Sequence, residues 1–223
     1  MKSEKTTIGN IATVQTGPFG SQLHNKDYVT VGTPIVTVEH LGQRKLSRQS
    51  LPCVSDEDKK RLSKYILKYG DLVFSRVGSV DKCSWVSEEE EGWMFSGRCL
   101  RVRPKNPNKV YHKFLYYFFT LESTKNFLRN VAVGATMPSI NTSLLSEVSI
   151  NLPGIDTQRK ISDILSILDD RIEENLKINN HLASSRSVTD NLPDIRRGKR
   201  VSRIAARQAV SSLSCPSVVC ISV

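Results

Sequence analysis

No two of the five cysteines stand in CxxC spacing, and His24, His40, His112 and His181 lie apart from them in the chain. Zinc sites draw their ligands from close pairs, so no metal is expected. The odd cysteine number also argues against a disulfide framework. Cys53, Cys83 and Cys99 read as reduced thiols of a cytoplasmic protein, while Cys215 and Cys220 fall in an unpatterned end. The opening MKSEKTTIGNIATV contains no apolar core of a signal peptide, and no run of about 18 apolar residues exists, so neither a leader nor a membrane span is expected.

Catalytic signatures are missing as well. There is no GxxxxGK[ST] phosphate loop, no GxSxG and no HExxH. The only Asn-Pro is Asn106-Pro107 in a hydrophilic stretch, not the Asn-Pro-Pro-Tyr of adenine methyltransferases. Asp71 and Asp81 lack the Glu-x-Lys spacing of a metal-assisted nuclease, and Asp71 in Gly70-Asp71 is more simply a turn residue. No catalytic residue and no cofactor is expected.

What the chain does have is positive charge. Thirty-two Lys and Arg face 22 Asp and Glu, a formal net charge of +10. Such an excess favours a polyanionic partner, because cations gain from releasing the counterions condensed on phosphates. With 39% apolar residues, the 223-residue chain can bury an ordinary core.

The expected fold class is α+β. A mixed, β-rich domain occupies residues 1–154, a long coiled-coil-forming α-helix residues 155–189, and a basic tail residues 190–223. Ile8, Ile11 and Val14 suggest one face of a short helical turn, followed by a loop through Gly17-Pro18-Phe19-Gly20. Strands are expected at Thr33–Val38, Leu72–Val77, Lys82–Val86, Arg98–Arg103 and Leu144–Leu152. In Arg98–Arg103, Arg alternates with apolar residues, the pattern of one polar and one buried face. Ser55 is placed to cap a helix running to about Ser63, and one helix is expected from Lys113 to Asn130. GATMPSINT, residues 134–142, reads as a polar loop.

Residues 156–187 contain no Gly or Pro. Ile161, Leu165, Leu168, Ile172, Asn175, Asn179 and Leu182 recur in alternating steps of four and three, a heptad seam. Such a stripe must be buried, either on its own domain or against another helix. Asn175 and Asn179 favour the second, since polar seam residues fix register and partner number. Beyond Asp190 the run Arg196-Arg197-Gly198-Lys199-Arg200 leads into an end that reads as a truncation, a frameshift or a weakly ordered DNA-seeking tail.

The order of pieces resembles one half of a specificity subunit of a type I restriction-modification system. The matching stretches are IGNIATVQTGPFGS (8–21), GTPIVTVEHL (32–41), YGDLVFSRVGSV (69–80), GATMPSINTSLLSEVSINLP (134–153) and DTQRKISDILSILDDRIEENLKINNHL (156–182). The last two carry the most, through an I-N-x-x-x-L entry, a proline, a glutamine and I-L-x-x-L-D-x-x-I on the helix. The resemblance covers about residues 7–186 and not the tail.

The resemblance implies a non-catalytic reader of double-stranded DNA. In that family two target-recognition domains each read half of a split site, and two long helices pair antiparallel as a spacer. Methyltransferase subunits dock on the helices, and a restriction subunit cuts. With one recognition domain and one helix, this chain is expected to be a half-subunit, a truncated gene product or an excised piece. A half-subunit would pair with a second half, a homodimer favouring a palindromic split site.

DNA reading requires cations for phosphates and hydrogen-bonding groups for base edges. The candidates are Ser21, Gln22 and Lys26 after the first loop, Arg76, Ser79 and Lys82 around the central turn, Arg98, Arg101 and Arg103 on one strand, and Thr136, Ser139 and Asn141 in the polar loop. Each has an ordinary alternative. Gln22 can be a plain surface residue and Arg76 can pair with a local acid. Ser139 and Asn141 can be caps, and Arg101 and Arg103 a solvated strand face. A rival reading of the whole is a protein–protein adaptor, a decayed half-subunit without sequence-specific DNA binding. A methyltransferase fragment would need a Rossmann half that the sequence lacks.

Overall fold

The computed structural model describes residues 3–190, apart from 21, 43 and 135. Among the described residues, those up to 171 form one compact unit, and those from 172 to 190 a second. The chain opens with β1 (Glu4–Thr7), a helical turn α1 (Ile8–Ile11) and β2 (Ala12–Thr16). β3 (Tyr28–Val29), β4 (Thr33–Val36) and β5 (Cys53–Val54) lead to α2 (Asp56–Arg61). Then come β6 (Leu72–Ser75), β7 (Cys83–Trp85), β8 (Met94–Phe95) and β9 (Cys99–Pro104). Helices α3 (His112–Thr120), α4 (Glu122–Val131) and α5 (Thr142–Glu147) precede β10 (Ser149–Leu152) and α6 (Ile155–Asp190).

The central sheet has the order β2-β9-β6-β7 and is antiparallel throughout. All four residues of β6 are buried, because both of its faces are covered. Leu72 and Phe74 point into one core with Leu100, Val102, Leu115 and Phe119, and the Phe74 and Phe119 rings meet edge to face at 4.6 Å. Val73 points the other way, into a second core with Ile35, Val36, Met94 and Phe95. That second core belongs to the sheet β3-β5-β4-β8, in which β4 and β8 run parallel. β1 and β10 form a separate antiparallel pair.

Several expected elements are shorter or divided. The single helix expected to Asn130 breaks at Leu121, whose ψ of 134° is extended. The Thr120 hydroxyl donates to the Tyr117 carbonyl at 2.8 Å, a side-chain bond that competes with continuing the helix. The strand expected from Leu144 starts instead at Ser149, because the Asn141 side chain accepts from Leu144 N at 2.8 Å and nucleates α5. The strand expected to Val38 stops at Val36, where Thr37 caps a 3-10 turn over Val38–His40. Ser55 caps α2 as expected, accepting from Asp58 N at 3.1 Å. Val14 lies on β2, not on a helical face with Ile8 and Ile11.

Gln158 anchors the start of α6. It is fully buried, its Oε1 accepts from Tyr111 N at 2.8 Å, and its Nε2 donates to the carbonyls of Lys109 and Pro153. Further along, Arg44 pairs with Asp170 at 2.5 Å and the Tyr117 hydroxyl donates to Asp169 at 2.9 Å. In the second unit, Ile172, Leu176, Ile178 and Leu182 are exposed. Among the described residues no helix is long and apolar enough to cross a membrane. The tail expected over 190–223 lies outside the described residues, apart from Asp190 at the end of α6.

His112 opens α3 among the rings of Tyr69, at 4.9 Å, and Trp85, at 5.6 Å. Burial first, then Lys113 and Arg159, push its pKa down to about 4. The folded chain therefore keeps the imidazole neutral, whereas the unfolded chain takes up a proton below about pH 6.5. Stability should fall as the pH drops from about 6.5 toward 4. Denaturant unfolding across that range is expected to show the loss, and His112→Phe to flatten it.

Candidate nucleic-acid interface

Antiparallel pairing places the end of one strand beside the start of the next. Thr16 pairs with Leu100, and Ser75 with Cys99. The exit of β2, the entry of β9 and the β6–β7 turn therefore meet at one edge of the central sheet. Arg76 ties them together. Its N–H donates to Arg98 O at 2.8 Å, its carbonyl accepts from Ile140 N at 2.9 Å, and its Nη1 donates to Gly97 O at 3.3 Å. Its guanidinium also lies 5.5 Å from the centroid of the Phe19 ring. Gly78 N donates to Pro138 O at 2.8 Å, bringing in the polar loop as a fourth segment.

Two glycines allow the closest approach. A Cβ on Gly17 would lie 2.1 Å from Ser96 O, and one on Gly97 would lie 2.3 Å from Pro18 O. Either side chain would push the first loop away from the β8–β9 connection. Beside this contact a cavity of about 600 Å³ is lined by Phe19, Leu23, Tyr28, Val38, Ser96 and Arg98, among others.

The structure sorts the sequence candidates. Arg76 and Arg98 are neighbours at this edge, and Ser79 and Lys82 sit on the same turn, both exposed. Lys26 is exposed in a 3-10 turn after the first loop. Among the described residues, Lys26, Lys82 and Arg98 make no ion pair. Thr136 is exposed, and the Ser139 hydroxyl donates to Val133 O at 3.2 Å. Asn141 acts as the cap of α5. Gln22 braces the loop, its Oε1 accepting from the Tyr65 hydroxyl at 2.7 Å. Ser21 lies outside the described residues.

Arg101 and Arg103 do not belong with them. The face of β9 that reads as polar in sequence is covered by the second sheet and the segment leading into β6. Arg101 is only 5% exposed. Its Nη1 donates to the Lys64 and Ile66 carbonyls, its Nη2 donates to Gln15 Oε1, and its guanidinium lies over Phe95. Burial, then the neighbouring Arg103, lowers its pKa, with Asp71 opposing. Arg103 forms a two-pronged pair with Asp71, both contacts at 2.6 Å. Asp71 is thus both the turn residue expected, accepting from Lys68 N at 2.8 Å, and a buried counterion.

The sequence matches a known family. Residues 2–183 fit the model of the type I restriction modification DNA specificity domain. The chain belongs to that family. The specificity domain is 30% identical over 151 residues to a Methanocaldococcus jannaschii protein named for the MjaX type I restriction enzyme as its specificity subunit, covering 66% of this chain and 35% of the relative. The HindI specificity subunit of Haemophilus influenzae is 30% identical over 123 residues, covering 54% and 27%. The S subunit of a type I restriction-modification system from M. genitalium has the same fold, with a TM-score of 0.57 at 17% identity, over 82% of this chain and 44% of that one. The chain spans about a third of the length of the curated relatives it matches.

On the helix of the specificity domain, Leu165 is partly buried against its own core. Ile161, Leu168, Ile172, Asn175, Asn179 and Leu182 are exposed. The heptad count missed Ile164, Ile167, Leu176 and Ile178, which are exposed as well. At the sheet edge it was Phe19 and Met137 that went unselected, because neither residue type signals DNA by itself.

Removing Arg101 should damage the fold and not phosphate binding. Arg101→Met leaves buried carbonyls unpaired, at a cost of about 1–3 kcal/mol. A lower unfolding midpoint with an unchanged salt dependence of DNA binding is the expected result.

Proposed function

We propose that this chain is the DNA-reading subunit of a type I restriction-modification complex and performs no chemistry itself. The observation that carries the reading is the cationic loop edge, where Arg76, Arg98 and the Ser79–Lys82 turn converge at the end of one rigid sheet. Phosphate contacts from Lys26, Lys82, Arg76 and Arg98 set the position of the duplex, and Ser79, Thr136 and Ser139 present hydrogen-bonding groups toward base edges. The buried Arg101 and the paired Arg103 are left out of this set. The protein works in the cytoplasm with methyltransferase and restriction subunits.

The long helix supplies the assembly surface. Ile164, Ile167 and Leu168 are more than half exposed, an apolar stripe that calls for a partner. A second copy of the chain, its helix antiparallel, covers that stripe and makes a twofold reader of a palindromic split site.

Two measurements test the reading. Affinity for mixed-sequence duplex DNA should fall steeply with salt, and Arg98→Ala should reduce the slope of log K against log salt by about one. Salt-independent or absent binding would favour a protein–protein adaptor instead. Leu168→Glu should convert a dimer to a folded monomer in sedimentation, and an unchanged profile would remove the helix pairing.

A further inference from the structure

Phe19 is 51% exposed at the tip of a loop whose base is locked. Gly17 N donates to Cys99 O at 3.2 Å, and Gln22 N closes the turn onto Phe19 O at 2.7 Å. Gln22 is in turn held by Tyr65 and by Arg61, whose Nη2 donates to its carbonyl at 2.8 Å. One side of the ring lies under the Arg76 guanidinium. That contact fixes the orientation of an apolar ring without burying it. A second apolar side chain, Met137, is 65% exposed on the neighbouring loop, next to the Pro138 carbonyl that accepts from Gly78. A single exposed apolar residue is ordinary on a protein surface. Two of them on separately braced loops, one under Arg76 and one beside the residue that holds Gly78, are not explained by either core.

Apolar side chains on a phosphate-binding surface have a recognised physical use. They enter between base steps, unstack them and bend the duplex, so that deformability adds to sequence selection. We propose that Phe19, assisted by Met137, is a wedge that contacts the bases of the bound duplex by stacking. Cations on the same edge hold the backbone on either side. Base stacking on an aromatic ring tolerates many sequences, so Phe19 contributes affinity and distortion, while the polar groups choose bases. This inference rests on the DNA-reading function proposed above.

The test uses the full chain and a duplex that the chain itself enriches from a random-sequence pool, with 2-aminopurine placed at successive positions. Enrichment of no duplex at all would overturn the DNA-reading function, and the wedge with it. Where a duplex is enriched, binding should raise 2-aminopurine fluorescence at one step, reporting unstacking. Phe19→Ala should abolish that rise and weaken binding by about 10- to 100-fold. Its salt slope should match the wild type, because no charge is removed. Met137→Ala should reduce the rise in part. Arg98→Ala should flatten the salt slope and keep the fluorescence rise. Affinity of Phe19→Ala within twofold of wild type, or an undiminished rise in its complex, would overturn the wedge while leaving DNA reading intact.

Discussion

The register of β9 between β2 and β6 is the constraint on which the interface depends. Because both neighbours run antiparallel to β9, with Thr16 opposite Leu100 and Ser75 opposite Cys99, three connections leave the sheet at the same edge. A slip of one residue would exchange the faces of β9, turning Leu100 and Val102 away from the helical core and Arg101 into it. The register is held from both sides. Leu100 and Val102 are committed to the core that contains Phe74 and Phe119, while Arg101 and Arg103 are committed to carbonyls and to Asp71 on the opposite face. A buried cation with three acceptors tolerates only one placement, so Arg101 and Arg103 fix the strand that follows Arg98.

The same sequence feature explains what was and was not legible. Alternation in Arg98–Arg103 marks a strand correctly, and the strand is there as β9. It cannot show that the charged face is covered, because the cover comes from a sheet whose strands β3, β5 and β8 have two residues each and leave almost no periodic signal. Arg76, Ser79 and Lys82 were legible as a group because they flank a turn, and turns fall at sheet edges, whereas Arg98 reads in sequence with Arg101 and Arg103 on one strand and joins the turn only through the Arg76 N–H to Arg98 O bond. Phe19 was not, since its role follows from Arg76 and from the Gly17 and Gly97 approach, which are contacts between segments far apart in the chain. The break at Leu121 has no Gly or Pro to announce it, whereas capping by Asn141 is legible as that residue's ordinary alternative, although what it caps is a helix and not the strand expected there.

The helix shows the same division between local pattern and tertiary context. Its heptad spacing is a property of the sequence, but the domain claims some of its positions. Leu165 goes to the domain core, and Gln158 and Ser162 are sealed beneath the first turns. Ile164, Ile167 and Leu168 stay exposed while Arg44 and Tyr117 hold Asp170 and Asp169 nearby. One helix thereby serves as a structural member of the domain at its start and offers apolar surface farther along.

On the proposed function, one end of the β2-β9-β6-β7 sheet, and not the other, faces the duplex. Amide hydrogen exchange of the full chain, alone and with enriched duplex, tests it most directly. Protection should appear at residues 17–20, 76–79, 97–98 and 136–139. Protection confined to the opposite end, at Lys68–Asp71 and Tyr111–His112, would contradict the account.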